Sequence, residues 1–295
     1  METDLTAAYD RCRELHRRHG RTYYLATRLL PEWKRRHVHA LYGFTRYADE
    51  IVDRADDLPP AERAARLDEW SARFVAGLLG EPVDDPLLPA VLHTIAVFGL
   101  EAGDFATFLR SMAMDLTVGS YATYDDLLDY MEGSAAVIGT MMLPILGSRD
   151  PAAAREPARQ LGLAFQMTNF IRDVAEDLDR GRVYLPDAHL VDFGVTRRRL
   201  ERRVATPAIR ELIRYEVSLA RGHYAAAAPG IPLLEPASQA CMRTAFRLYG
   251  GILDEIEAAG YDVFTRRATV PNRRRATVTV RSLLTLPGTP VRVGA

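Results

Sequence analysis

Lysine is almost missing from this chain: of 38 basic residues, all but Lys34 are arginine. Together with abundant alanine, that bias points to a GC-rich genome and carries little about function. Cysteine is nearly as scarce. Cys12 and Cys241 lie far apart and form no CxxC or Cys/His cluster, which excludes a zinc-finger or disulfide scaffold and fits a reducing cytoplasm. The formal net charge of −1 gives no global bias toward nucleic acid. No apolar run is long enough to span a bilayer. The longest are Leu87–Leu100, interrupted by Pro89 and His93, and Ala135–Leu146, interrupted by Pro144, against the ~20 residues a spanning helix needs. Residues 1–20 carry charges and no apolar segment, so no secretory leader is expected and the chain reads as cytoplasmic. A Gly-rich phosphate loop after a strand is absent, as are internal repeats. Strand-like alternation is confined to a weak trace at Thr277–Arg281.

What is present is helical periodicity over 295 residues of which 48% are hydrophobic, ample for one large core. The stretch Gln166 to Pro186 organises the rest. On a helix, Gln166, Asn169, Asp173 and Asp177 fall at i, i+3, i+7 and i+11, one stripe with its two carboxylates about 6 Å apart. Leu161, Leu163, Phe165, Met167, Phe170, Ile171, Val174 and Leu178 occupy the other faces. A helix apolar nearly all round is buried, so its polar stripe faces an internal cavity. From His39 to Asp53 the same pattern recurs: Tyr42, Arg46, Asp49 and Asp53 lie at i, i+4, i+7 and i+11 among Leu41, Phe44, Ala48, Ile51 and Val52. One Asp pair at i, i+4 is a weak signal and more often a solvated face. Two such pairs on two apolar helices suit a hard divalent ion such as Mg²⁺, which takes oxygen ligands and completes its shell with substrate phosphate.

The remaining pattern predicts helices over 4–19, 61–79, 87–100, 104–118, 124–146, 207–228 and 235–259, with a short basic segment at 197–204. After Tyr24 the chain reads as a link through Pro31, and 187–196 reads as a loop. The class is all-α, core helices around a central cavity. Residues 1–265 form a single catalytic domain, and 266–295 a basic, partly disordered tail with seven Arg and no acidic residue. The charge of Arg267 and Arg273–Arg275 suits peripheral contact with an anionic membrane.

Two segments carry a resemblance. His19 to Asp53, with Tyr23, Leu29-Leu30-Pro31, Tyr42, Arg46 and Asp49-Glu50-Ile51-Val52-Asp53, resembles the first signature of the squalene/phytoene synthase family. Gln166 to Pro186, with Asn169, Arg172, Asp173, Glu176, Asp177, Arg182 and Tyr184-Leu185-Pro186, resembles the second. The likeness runs from His16 to about Val278 and is nearest to bacterial phytoene synthases. It implies an isoprenoid-synthase-type helical bundle around the central cavity. It also implies a prenyltransferase of carotenoid biosynthesis that joins two geranylgeranyl diphosphates head to head through a cyclopropylcarbinyl diphosphate. It implies Mg²⁺, with Mn²⁺ as substitute, held by Asp49, Asp53, Asn169, Asp173 and Asp177. Arg46, Arg172, Gln166, His19 and Arg266 would contact substrate, and Tyr23, Tyr42 and Tyr249 would face the carbocations. For Arg46 the plainer reading is a helical salt bridge with Asp49 or Glu50, and for His19 a helix-end cap. Where relatives carry Tyr-Cys and Ala-Gly, this chain has Tyr130-Met131 and Ala135-Ala136; the extra methyl of Ala136 is expected to bear on prenyl chain length. The alternatives are a squalene, hydroxysqualene or dehydrosqualene synthase using farnesyl diphosphate, and a non-catalytic assembly factor of the same fold. Phytoene formation ends by proton loss, so no NADPH is expected, and released diphosphate serves as proton acceptor without a protein base.

Overall fold

The computed structural model describes residues 5–53 and 58–291. Among them there is no strand, only isolated bridges at Ser120–Val183 and Ser148–Leu234. The first half contributes α1 (Leu5–His19), α2 (Arg21–Thr27), α3 (Glu32–Asp53), α4 (Pro60–Leu78), α5 (Leu88–Phe98) and α6 (Ala102–Met114). Next come α7 (Tyr124–Met131), a π-helical turn (Glu132–Ala136) and α8 (Val137–Leu146). The second half is α9 (Pro151–Arg172), α10 (Val174–Asp179), α11 (Asp187–Asp192), α12 (Arg197–Glu201) and α13 (Pro207–Ala227). A 3₁₀ turn (Ala228–Leu233), α14 (Pro236–Ala258) and α15 (Asn272–Leu284) complete it. Local sequence fixes many of these ends. Thr123 and Asp126 form a reciprocal capping box on α7, Asp150 accepts from Ala153 N at 3.0 Å before Pro151, and Thr206 caps α13 before Pro207.

Two apolar cores flank the middle of the bundle. Phe44, Trp70, Phe74, Phe105 and Phe108 pack between α3, α4 and α6; the other core joins α9, α13 and α14 around Ile171, Ile213, Leu248 and Leu253. Helix α9 belongs to both sides, touching α8, α13 and α14. Its approach to α8 is a backbone contact. A Cβ on Gly139 would overlap the carbonyl oxygen of Ala158, and one on Gly162 that of Ala135. Lys34, 1% exposed, donates to Leu146 O (2.6 Å) and Glu235 Oε2 (2.7 Å), tying the start of α3 to the end of α8 and the start of α14.

Several expectations are corrected. Residues 25–27 and 187–192 are helical, where a link and a loop were expected. The long helix over 124–146 is interrupted by the π turn. The weak alternation at Thr277–Arg281 is helix, not strand: α15 lies against α14, and its Ser282 is fully buried. Residues 292–295 of the expected tail lie outside the described residues.

Candidate active site

The acidic stripes lie on α3 and on the junction of α9 with α10. That junction is a break: Asp173 (φ −104°, ψ 14°) ends one helix and begins the next. The hydrogen-bond ladder still runs through it, with Asp173 N to Asn169 O at 2.9 Å and Asp177 N to Asp173 O at 2.8 Å. Gln166, Asn169, Asp173 and Asp177 therefore keep their sequence spacing across two segments.

Arginines hold the two stripes together. Arg182, in the loop after α10, donates to Asp53 Oδ1 (3.0 Å) on α3, and Arg180 stands 3.5 Å from the same carboxylate. Arg46 donates to Asp49 (2.6 Å) and Glu50 (3.1 Å), the intrahelical pairing that was its plainer reading. Arg172 donates through Nε to Asp173 Oδ1 at 2.7 Å. His19 Nε2 lies 3.3 Å from Glu50, and its pKa is lowered, first by burial and then by Arg46. Carboxylate charge is unevenly compensated. Asp49 is pushed up, by burial and then by Asp53, against the pull of Arg46. Asp177 likewise rises to about 7, by burial and then by Asp173, with Asp53 adding to it across the gap. Burial would raise Asp173 too, but Arg172 and Arg267 outweigh it and hold it low.

The tail adds a contact beside the expected one. Arg267 reaches the stripe: its Nε and Nη2 donate to both oxygens of Asp173 (2.8 and 3.0 Å), and it lies 3.0 Å from Glu176. Arg266 is exposed and has no ion pair among the described residues. A second residue gave no signal in the sequence. Asp115, just past α6, accepts from Tyr130 (2.7 Å) and Tyr184 (3.1 Å), and its carbonyl accepts from Arg182 (3.1 Å). A solitary Asp without an i+4 partner could not be singled out.

Below the stripes lies an apolar cavity of about 280 Å³, bounded by α2, α3, α8, α9 and α14. Gln166, Asn169 and Tyr42 stand at its polar end; Leu146, Ile231 and Leu234 also line it. Tyr23 stacks on Tyr249 (4.3 Å between centroids), with Phe165 4.7 Å from Tyr249, while Tyr42 stacks on His16 at 4.1 Å. Tyr23 and Tyr42 line the cavity and Tyr249 backs it. Phe165, read in the sequence only as apolar surround, belongs to this aromatic wall. Ala136 does not line it. Ser134, Ala135 and Gly139 do, and the Ala136 methyl is buried in the core.

Among the described residues no three carboxylate, imidazole or thiol groups close into a metal cage. The donor set nonetheless suits an ion shared with a phosphate ligand. Asn169 Oδ1 is buried without a hydrogen-bond partner, and neighbouring carboxylates disfavour the charged forms of Asp49 and Asp177, which a cation would favour.

The family model for squalene/phytoene synthase matches residues 16–274. The chain belongs to that family. Among its relatives, the 15-cis-phytoene synthase of Synechococcus elongatus is 36% identical over 284 residues, 92% of this chain and 91% of its own. Phytoene synthase 2 of Solanum lycopersicum is 35% identical over 291 residues, 96% and 90% of the two chains. The crystal structure of a dehydrosqualene synthase with ligand aligns with a TM-score of 0.87 at 26% identity, covering 95% of this chain and 97% of the other. A squalene synthase from Alicyclobacillus acidocaldarius gives 0.79 at 27%, covering 89% and 97%. The family and the all-α isoprenoid-synthase fold expected from the two signatures both hold. No helix among the described residues is long and apolar enough to cross a membrane.

Proposed function

We propose that the enzyme is a prenyltransferase condensing two geranylgeranyl diphosphates head to head, through a cyclopropylcarbinyl (prephytoene) diphosphate, to phytoene with release of diphosphate. The observation that carries this reading is the pair of acidic stripes facing each other, through Arg182 and Asp53, at the mouth of an apolar cavity. The phytoene synthase relatives favour the C20 substrate. Asp49, Asp53, Asn169, Asp173 and Asp177 would hold Mg²⁺, or Mn²⁺ in its place, which takes up charge developing on the leaving diphosphate.

Arg46 and Arg172 would exchange their present carboxylate contacts for diphosphate oxygens, as permanently charged forked donors. Gln166 and His19 would complete the polar rim, with Arg267 in the role expected of Arg266. The faces of Tyr23, Tyr42 and Tyr249, with Phe165, would stabilise the allylic and cyclopropylcarbinyl cations without trapping them. The apolar lining excludes water that would quench those cations. Proton loss ends the sequence, with released diphosphate as acceptor, so no reductant enters.

The test is incubation with Mg²⁺ and C20 or C15 prenyl diphosphate, with and without NADPH. The expected product is a C40 hydrocarbon with a central triene, unchanged in rate and identity by NADPH. Faster C15 turnover, with a saturated-centre C30 product only when NADPH is present, would establish squalene synthesis instead. The closeness of the dehydrosqualene synthase fold makes a C30 product without NADPH the second reading.

A further inference from the structure

We propose that the outward face of α15 docks the enzyme on an anionic lipid surface, with a headgroup phosphate held between Arg247 and Arg281. The inference is independent of the reaction and begins with a stripe. Arg273, Ala276, Thr277, Val280, Leu283 and Leu284 recur at i, i+3, i+4, i+7, i+10 and i+11 of α15, and all are exposed. Val280, Leu283 and Leu284 leave 54%, 56% and 78% of their surface in water, and Leu286 just beyond leaves 76%. The helix is held by its other side. Ser282 is buried there, and Arg274 pairs with Asp254 and Glu255 of α14. The aliphatic stripe is thus a second apolar face that none of the described residues covers, the kind that marks an interaction surface.

Charge decides the occupant. No acidic residue occurs from Arg266 to the end of the chain. Where α15 meets α13 and α14 lies a cleft of about 690 Å³ whose charged lining is Arg221, Arg247, Arg274 and Arg281 with one carboxylate, Asp254, and which Leu284 also lines. Arg221 and Arg274 are matched by Asp254, Glu255 and Glu257. Arg247 and Arg281 have no carboxylate partner among the described residues. Two unmatched guanidinium groups beside an exposed leucine fit an anionic amphiphile, with its phosphate in the cleft and its chains against Leu283, Leu284 and Leu286. A two-fold contact between copies would instead bring the same arginines face to face. Nucleic acid would leave the leucines unused. The expected membrane charge is thereby relocated: Arg267 is engaged by Asp173, and Arg274 by α14.

The experiment is vesicle sedimentation of the full chain with phosphatidylcholine alone or mixed with phosphatidylglycerol. The parent should bind the mixed vesicles and leave neutral ones largely unbound. Arg247→Gln with Arg281→Gln should weaken binding by about 25-fold, near 5-fold per arginine. Leu284→Glu with Leu286→Glu should reduce it to background. Circular dichroism, and turnover of detergent-dispersed substrate, should match the parent in both variants, since the leucines are exposed. The proposal is overturned by absent binding, by equal binding to both vesicles, or by leucine variants that sediment like the parent. Lipid-free self-association abolished by the leucine pair would also overturn it, by making this face a contact between copies.

Discussion

Asp173→Asn tests the site most sharply, because its structural and functional costs can be computed separately. The carboxylate accepts from Arg172 at 2.7 Å and from Arg267 at 2.8 and 3.0 Å. Arg172 is largely covered, with 13% of its side chain exposed, whereas Arg267 keeps 44%. Weakening the covered pair costs roughly 1.5–3 kcal/mol, the range for hydrogen bonds to charged groups. The exposed pair adds at most about 1 kcal/mol after solvent screening. Asn retains one acceptor oxygen, so the sum is about 2 kcal/mol, and for a chain of 295 residues the melting temperature should fall by roughly 3 °C. If Asp173 served only to hold two arginines, activity well below that temperature would survive. As a metal-holding carboxylate, its loss should lower turnover on the order of 100-fold or more. The assay is diphosphate release from C20 prenyl diphosphate across a Mg²⁺ titration, paired with thermal circular dichroism. Turnover within a few-fold of the parent at equal Mg²⁺ would refute the metal-holding role.

Three further outcomes are expected. Asp177, raised to about 7, with Asp49 raised beside it, must release its proton to take a cation, so Mg²⁺ affinity should rise as pH increases through about 7, with proton release measurable by calorimetry in buffers of different ionisation enthalpy; a flat profile from pH 6 to 8 would contradict this. Arg267→Gln should reduce turnover well beyond Arg266→Gln, because only Arg267 touches the acidic stripe; the reverse order would restore the sequence assignment. Gly162→Ala drives a methyl into the Ala135 carbonyl and should destabilise the fold by about 1–3 kcal/mol, read by urea denaturation.

Both acidic stripes were legible in the sequence because chemistry restricts them to few residue types, and helical spacing makes them periodic. The positions of most long helices came from the apolar period. Helices α2 and α11 were not legible. At seven and six residues they are too short to hold by propensity, and packing makes them. The π turn at Glu132–Ala136 was not legible for a different reason: it adds one residue to a turn inside a continuous apolar pattern, and no residue type marks it. The choice between Arg266 and Arg267 depends on how a non-helical segment crosses Asp173, which adjacent arginines do not encode.

The burial of Lys34 has a consequence for how this protein can be handled and marked. With one lysine in the chain, and its ammonium sealed among Leu146, Ser238 and Glu235, the folded surface presents no lysine amine. Acylation, reductive methylation and amine-to-amine cross-linking find no side chain to attack, and lysine-specific proteases find no accessible bond. Each becomes possible only when the start of α3 parts from the ends of α8 and α14. The rate of acylation at Lys34 is therefore a single-site clock for the opening of that three-helix junction.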